Sequence, residues 1–462
     1  IKVSKHFGGH GMREFTIGFV PFGEVNTPPE AIARRAAEAE RRLRELGYPV
    51  RAAAPVTDDE AYEDAGRAVE TLEQQPIDAL VVCIAGWIPT HAVIRVIDRF
   101  RHVPMLLWSL CGWEEGGKLI STADQAGATA LSYAMRGMGY RYRYIYSVAG
   151  QPWPAEEIGD WCAACAAAYE LRDARIGSAG YRDMLLYGTM FDGMSLRRVV
   201  GTEIEPFELL EVVQEAEKIP DETVAEAVSF VRAAFEFETE CGDEPIERSA
   251  RYALAIARRV RRRGYRAVTL VDVDGFKKLL GTPPAMIFML LDRLCGVCVI
   301  PENDILGSVT QLMVRELTGQ AAGYLEFYEF FEDALLAGVP DFIPLELTLG
   351  TPRIHPAAFG KLSTSLLNVS KVRDGEVTLA RLLYLDGKYT MHLTRGTARQ
   401  PRAWEECGWE PPAPQLPSLE IVPEGGVRAF ADKVGSQHVI VAYGDVTRRI
   451  RNLCDLLGIE VL

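Results

Sequence analysis

Glu302-Asn303-Asp304 directly follows the apolar run CGVCVI and a proline, while Asp272 and Asp274 follow AVTLV. Both runs read as buried strands, so carboxylates gather at strand ends. Ligands of open α/β sheets bind at the C-terminal ends of strands. Like charges collected there repel one another unless a cation or an arginine offsets them. A divalent-metal site is one expectation. The other is that these acids cap the helices that follow. Other chemistries lack their motifs: no G-x-G-x-x-G follows the first strand, and no P-loop, H-E-x-x-H or G-x-S-x-G occurs.

The elements that would position these acids follow a strand–helix alternation. FTIGFVPFG (15–23), DALVVCIAGW (78–87) and VPMLLWSL (103–110) are continuous apolar strands, and amphipathic helical stretches separate them. Such strands belong to a parallel sheet covered on both faces. A second alternating set runs from LRDARIGSAG (171–180) through a long helical stretch, 207–263, to RAVTLVDVD (266–274). After about 345 the pattern changes. Asp374-Gly375 and Asp386-Gly387 lie between β-rich runs and read as hairpin turns. A proline-rich surface segment, 400–423, precedes a closing helix, strand, helix and short strand. The expected fold is α/β: two doubly wound parallel-sheet (Rossmann-like) domains, 12–170 and 171–318, then a β-rich C-terminal domain, 319–462.

The chain has 462 residues, 48% hydrophobic and 25% charged, which is ample for several cores. A net charge of −14 argues against nucleic acid or an anionic membrane surface as partner, and no apolar run reaches the length of a membrane span. The basic cluster Arg258–Arg263 ends an amphipathic helix, where cations favour the dipole. Nine cysteines without disulfide-framework spacing suggest a reducing, cytoplasmic setting. Cys162/Cys165 and Cys295/Cys298 form C-x-x-C pairs that lack the flanks of a zinc ribbon, so buried structural cysteines are expected. Met12 reads as the start, with 1–11 as upstream residues.

PENDILGSVTQLMVRELTG (301–319) resembles the E-N-D segment of the L-fucose isomerases and the E-G-D segment of the L-arabinose isomerases. SQHVIVAYGDVTRRIRNLCDLLGI (436–459) is similar to their A-N-H stretch and terminal helix, and LRDARIGSAGYRDM to the opening of their central domain. The resemblance implies an aldose–ketose isomerase that works through a cis-enediol with Mn²⁺ or another divalent ion. It places the metal ligands on Glu302, Glu326 and His438, with Glu302 as the base and Glu326 the second catalytic carboxylate. Glu329 and Glu332 lie near enough in sequence to compete with Glu326. Asp304 is either a substrate-side residue or a helix cap. Trp87 and Trp108, at strand ends, would stack on a sugar face or pack in the core. The family forms hexamers with sites shared between subunits, so a homo-oligomer is implied.

Two departures bear on the substrate. FVPFGEVN stands where fucose isomerases carry an R-P…D-G-R-R-like stretch, and VPDFIPLELTLG lacks the further histidine of the arabinose enzymes, although His355 follows. The expected substrate is therefore neither L-fucose nor L-arabinose. An anionic sugar, such as a sulfonated one, is the alternative, with Arg182, Arg197 or Arg198 supplying the anion site. A non-catalytic sugar-binding protein on the same fold is a further reading.

Overall fold

The computed structural model describes residues 13–339, 342–356, 366–402 and 417–462. Residues 1–11, expected to precede a start at Met12, and most of the proline-rich segment lie outside the described residues. Contacts divide the chain into two compact units, one ending at Tyr169 and the other beginning at Glu170.

The first unit opens with β1 (Ile17–Phe22), α1 (Pro29–Arg44), β2 (Val50–Ala52), α2 (Glu63–Glu73), β3 (Ala79–Ile84), α3 (Thr90–Ile97) and β4 (Met105–Ser109). A short hairpin, β5 (Trp113–Glu115) and β6 (Lys118–Ile120), precedes α4 (Asp124–Gly137) and β7 (Tyr142–Tyr146). The parallel sheet has the order β2-β1-β3-β4-β7. Every residue of β1, β3 and β4 is buried, which is why these strands read as unbroken apolar runs. α1 starts on Pro29, whose missing N–H costs nothing in the first turn.

The helix α5 (Ala155–Asp173) leads into the second unit. There β8 (Arg175–Ala179), α6 (Gly193–Val199), β9 (Glu203–Phe207), α7 (Leu209–Ala216), α8 (Asp221–Ala234), β10 (Glu236–Phe237) and α9 (Glu244–Arg263) precede β11 (Ala267–Leu270). The helical stretch anticipated over 207–263 is thus three helices, broken at Pro220 and by the short β10. A π-helical turn (Asp272–Leu279), α10 (Ala285–Cys295), β12 (Cys298–Ile300) and α11 (Ile305–Thr318) follow. The four parallel strands run in the order β12-β11-β8-β9. The C-x-x-C cysteines are buried and free. Burial pushes their thiols up, Cys295 and Cys298 to about 11, so they pack as small hydrophobes rather than reacting.

The remaining elements are β13 (Gly323–Phe330), β14 (Leu335–Gly338), β15 (Arg353–Pro356), β16 (Leu366–Asn368), β17 (Gly375–Leu385), β18 (Lys388–Arg399), β19 (Ser418–Pro423), α12 (Val427–Ala431), β20 (His438–Tyr443), α13 (Thr447–Leu457) and β21 (Glu460–Val461). β17, β20, β13, β14, β19 and β18 pair in that order, and β18 pairs back with β17. The sheet closes into a six-stranded antiparallel barrel without free edges. Asp386-Gly387 is the two-residue turn between β17 and β18, with φ of +50° and +76° as a type I′ hairpin requires. Asp374-Gly375 is not a hairpin turn: Gly375 opens β17, and the preceding β16 pairs instead with β15 in a small sheet with β10.

Both of these layers meet on α11. Its residues from Ile305 through Val314 are all buried, too many for a helix with one wet face. It packs against β11 and β12 on one side and β17 and β20 on the other, and Thr310 Oγ1 accepts the Leu382 N–H at 3.0 Å. Each fully buried Leu, Ile or Val contributes roughly 1.5–3 kcal/mol, so this helix is a main attachment between sheet and barrel. It also fixes where Glu302, just before its N-terminus, stands.

Candidate metal centre

Beyond β12 the backbone makes an unusual turn. Glu302 and Asn303 are both left-handed, with φ of +60° and +50°. Asparagine tolerates this conformation, whereas glutamate does so at a cost of about 1–3 kcal/mol. The surroundings hold the turn in place. The Glu302 N–H donates to Asp272 Oδ1, and the Asn303 N–H donates to the Leu270 carbonyl at 2.7 Å. Asn303 Oδ1 accepts from Ser178 Oγ at 2.8 Å, and its Nδ2 donates to the Tyr181 carbonyl at 2.7 Å. The ends of β8, β11 and β12 are thereby tied together, and the Glu302 side chain projects from the knot.

Glu326 and His438 come from the barrel, where they are register partners across β13 and β20. Donor atoms of Glu302, Glu326 and His438 all lie within 4.8 Å of one another. His438 Nε2 is 3.1 Å from Glu302 Oε2, and Nδ1 is 3.8 Å from Asp304 Oδ2. The imidazole is buried and stacks on Tyr324, with centroids 4.5 Å apart and planes at 28°. Burial lowers its pKa to about 4, against the opposing pull of Asp304. At neutral pH the ring is uncharged. Nε2 is the ring nitrogen that faces Glu302, with Gln437 Nε2 at 3.4 Å from it, while Nδ1 is beyond hydrogen-bond reach of Asp304. Two carboxylates and a neutral imidazole are a donor set that suits a divalent ion such as Mn²⁺. Gln437 borders the same spot, its Nε2 at 3.3 Å from Glu326 Oε1.

Asp304 stands behind this group and is fully buried. Its Oδ1 caps α11 by accepting the Gly307 N–H at 2.9 Å. Arg381 embraces the carboxylate with both Nη atoms, Nη2 to Oδ1 at 3.1 Å, and Tyr324 donates its hydroxyl to Oδ2 at 3.0 Å. Burial alone would raise the Asp304 pKa, but the Arg381 charge and hydrogen bonds outweigh it and hold the group below the usual range. A Cβ on Gly307 would lie 2.8 Å from Asp304 Oδ2 and 3.0 Å from Arg381 Nη1, so only glycine fits the close approach of this pair. Asp304 takes the helix-cap role expected for it, and its carboxylate is held by Arg381 and Tyr324 rather than facing a cleft.

Of the other residues singled out from sequence, Asp272 supports the Glu302 turn and the rest lie outside the three-ligand group. Asp272 is fully buried and faces Lys277 Nζ at 3.4 Å, while Asp274 pairs with Lys278 at 2.8 Å. Glu329 and Glu332 are exposed and, among the described residues, outside the three-ligand group. His355 pairs with Glu238 at 3.0 Å. Trp108 belongs to the first unit and is completely buried, its indole donating to Ser147 Oγ at 3.1 Å, so it is a core residue with no face open to a sugar. Trp87, in the same unit, is half-buried after β3. Arg381 and Tyr324 went unnoticed in the sequence. An arginine inside an apolar strand, as in LARLLYL, is the one signal that could have marked the first.

No protein-family model matches the chain. It is 19% identical over 411 residues to the sulfoquinovose isomerases of Priestia aryabhattai and Priestia megaterium, covering 87% of this chain and 88% of each relative. The chain is similar to sugar isomerases over most of its length. An ABC-transporter solute-binding protein from Agrobacterium vitis, solved with α-D-tagatopyranose, aligns at 13% identity with a TM-score of 0.17, covering 63% of this chain and 93% of its own; a score that low does not establish a shared fold.

Proposed function

We propose that this protein is a divalent-metal-dependent aldose–ketose isomerase of a sugar. The observation that carries the reading is the meeting of Glu302, Glu326 and a neutral His438 at one point. These three would hold the ion, which when bound supplies Lewis acidity toward neighbouring sugar oxygens. Glu302 is the base. Its carboxylate takes the proton from C2 of the aldose, the electron pair forms the C1–C2 double bond, and O1 is protonated to give a cis-enediol. Return of the proton from Glu302 to C1, with loss of the O2 proton, yields the ketose. Atoms and electrons balance with no external oxidant. The pinned left-handed turn fixes the Glu302 backbone, so little reorientation is required at each transfer.

A sulfonated sugar is the second reading, because both sulfoquinovose isomerases act on such a compound by name. The test is a screen of neutral and anionic aldoses with added Mn²⁺, following ketose formation by wild type and Glu302→Gln. Ketose formed by wild type alone supports the proposal. Sugar binding without turnover would favour a binding protein instead.

A further inference from the structure

Beside the candidate metal centre lies a cavity of about 840 Å³, within the range of small-molecule sites. Asn303 and Ile305, the residues alternating with Glu302 and Asp304, belong to its wall, as do Ser178 and Gly180 at the end of β8. It therefore lies at the C-terminal ends of β8 and β12, one residue along the chain from Glu302, although Glu302, Glu326 and His438 are not themselves part of its wall. Its charged wall residues are Arg182, Arg197 and Glu203. Arg197 is already committed: its Nη1 donates to the carbonyls of Arg172, at 2.9 Å, and Gly201, and its Nε lies 3.5 Å from Glu203. That arrangement closes the loop between α6 and β9 and keeps Arg197 beside Glu203.

Arg182 differs. Among the described residues no carboxylate pairs with it and no carbonyl accepts from it; its guanidinium rests 5.1 Å from the centroid of the Tyr187 ring. Such a ring is a cation–π neighbour that takes none of the guanidinium N–H groups, so they remain available to a ligand. Arg198, the third candidate, is exposed and outside the cavity wall. Its charge acts on Asp192 instead.

We infer that Arg182 is the specificity residue for an anionic sugar: it clamps a terminal oxyanion of the substrate, a sulfonate or a phosphate, in this cavity while the reacting carbons lie at Glu302. The inference rests on the isomerase reading for its reacting end only. A planar, paired donor matches two oxygens of either group. The remaining wall, with Tyr181, Met190, Phe191 and Ile204, is largely apolar and offers the sugar ring a surface to pack on, while Tyr181 and Met190 stay exposed to solvent.

The experiment compares sulfoquinovose, glucose 6-phosphate and glucose on the full chain with Mn²⁺, in wild type, Arg182→Ala, Arg182→Lys and Arg198→Ala. The ratio of kcat/KM for the better anionic sugar to that for glucose should fall about 10- to 100-fold in Arg182→Ala. Arg182→Lys should recover part of it, and Arg198→Ala should leave the ratio unchanged. The better of the two anionic sugars identifies which oxyanion is read. Calorimetric binding of the same sugars to Glu302→Gln, with and without Arg182→Ala, separates this inference from the isomerase reading. If no sugar turns over but anionic sugars still bind through Arg182, the isomerase reading fails and the anion subsite stands. Equal ratios in wild type and Arg182→Ala, or binding indifferent to Arg182, would overturn the subsite.

Discussion

Glu326 and His438 face one another across two antiparallel barrel strands, so the barrel's register alone decides whether these side chains meet. Directly opposed residues have Cβ atoms about 4.5–5.5 Å apart, a separation from which a carboxylate and an imidazole can share one ion. A slip of one residue would send one of them to the other face. Glu302 reaches the same point from the central sheet, which makes α11 and its contacts the alignment device between two separate layers.

Glu302→Gln should keep the fold and most of the metal affinity, since an amide oxygen remains. It should lower turnover by about 10²–10⁴-fold, the usual contribution of a general base. Single-turnover kinetics beside a metal-binding titration checks this. Affinity and turnover falling together would assign Glu302 to ligation only.

His438→Ala should lose the stabilisation that Mn²⁺ gives the wild type, about 2.7 kcal/mol at a hundredfold excess over Kd. Thermal unfolding with and without Mn²⁺ measures it. An unchanged shift in the variant would place the ion elsewhere.

Arg381→Met leaves Asp304 buried beside a neutral side chain and should destabilise the protein by about 3–5 kcal/mol. Adding Asp304→Leu should restore most of that, less about 1 kcal/mol for the lost cap of α11. Denaturant unfolding of both variants tests the pairing. A double variant less stable than Arg381→Met would show that the two residues contribute separately.

Stability should also fall with acid through His392. This buried ring, 4.6 Å from that of Phe430, has its pKa lowered to about 4 by burial and then by Lys433. The unfolded chain binds this proton near pH 6.5. Stability from the neutral ring is thus complete above pH 6.5 and is lost as pH falls toward 4, by on the order of 3 kcal/mol. His392→Phe should flatten that part of the pH–stability curve, and an unchanged slope would assign it to other groups.

Much of the sheet framework was legible in sequence, because buried parallel strands are written as apolar runs, as at 78–85. Glu302 was legible for a related reason: an acid directly after such a run stands at a sheet edge. The Glu326–His438 pairing was not, since spacing along the chain says nothing of barrel register; it came from resemblance. Asp374-Gly375 carried the same local turn signal as Asp386-Gly387, yet Gly375 only opens a strand, because β16 found its partner in β15. Asp272 and Asp274 share the strand-end position of Glu302 but face lysines on their own π-helical turn, and Asp272 serves the site only by accepting the Glu302 N–H.

The most direct test of the central claim is anomalous diffraction from crystals of the protein grown or soaked with Mn²⁺. The account predicts one strong peak with oxygens of Glu302 and Glu326 and Nε2 of His438 at about 2.0–2.3 Å, absent in His438→Ala. A saturated peak elsewhere, or none at these three residues in crystals of active protein, would contradict it.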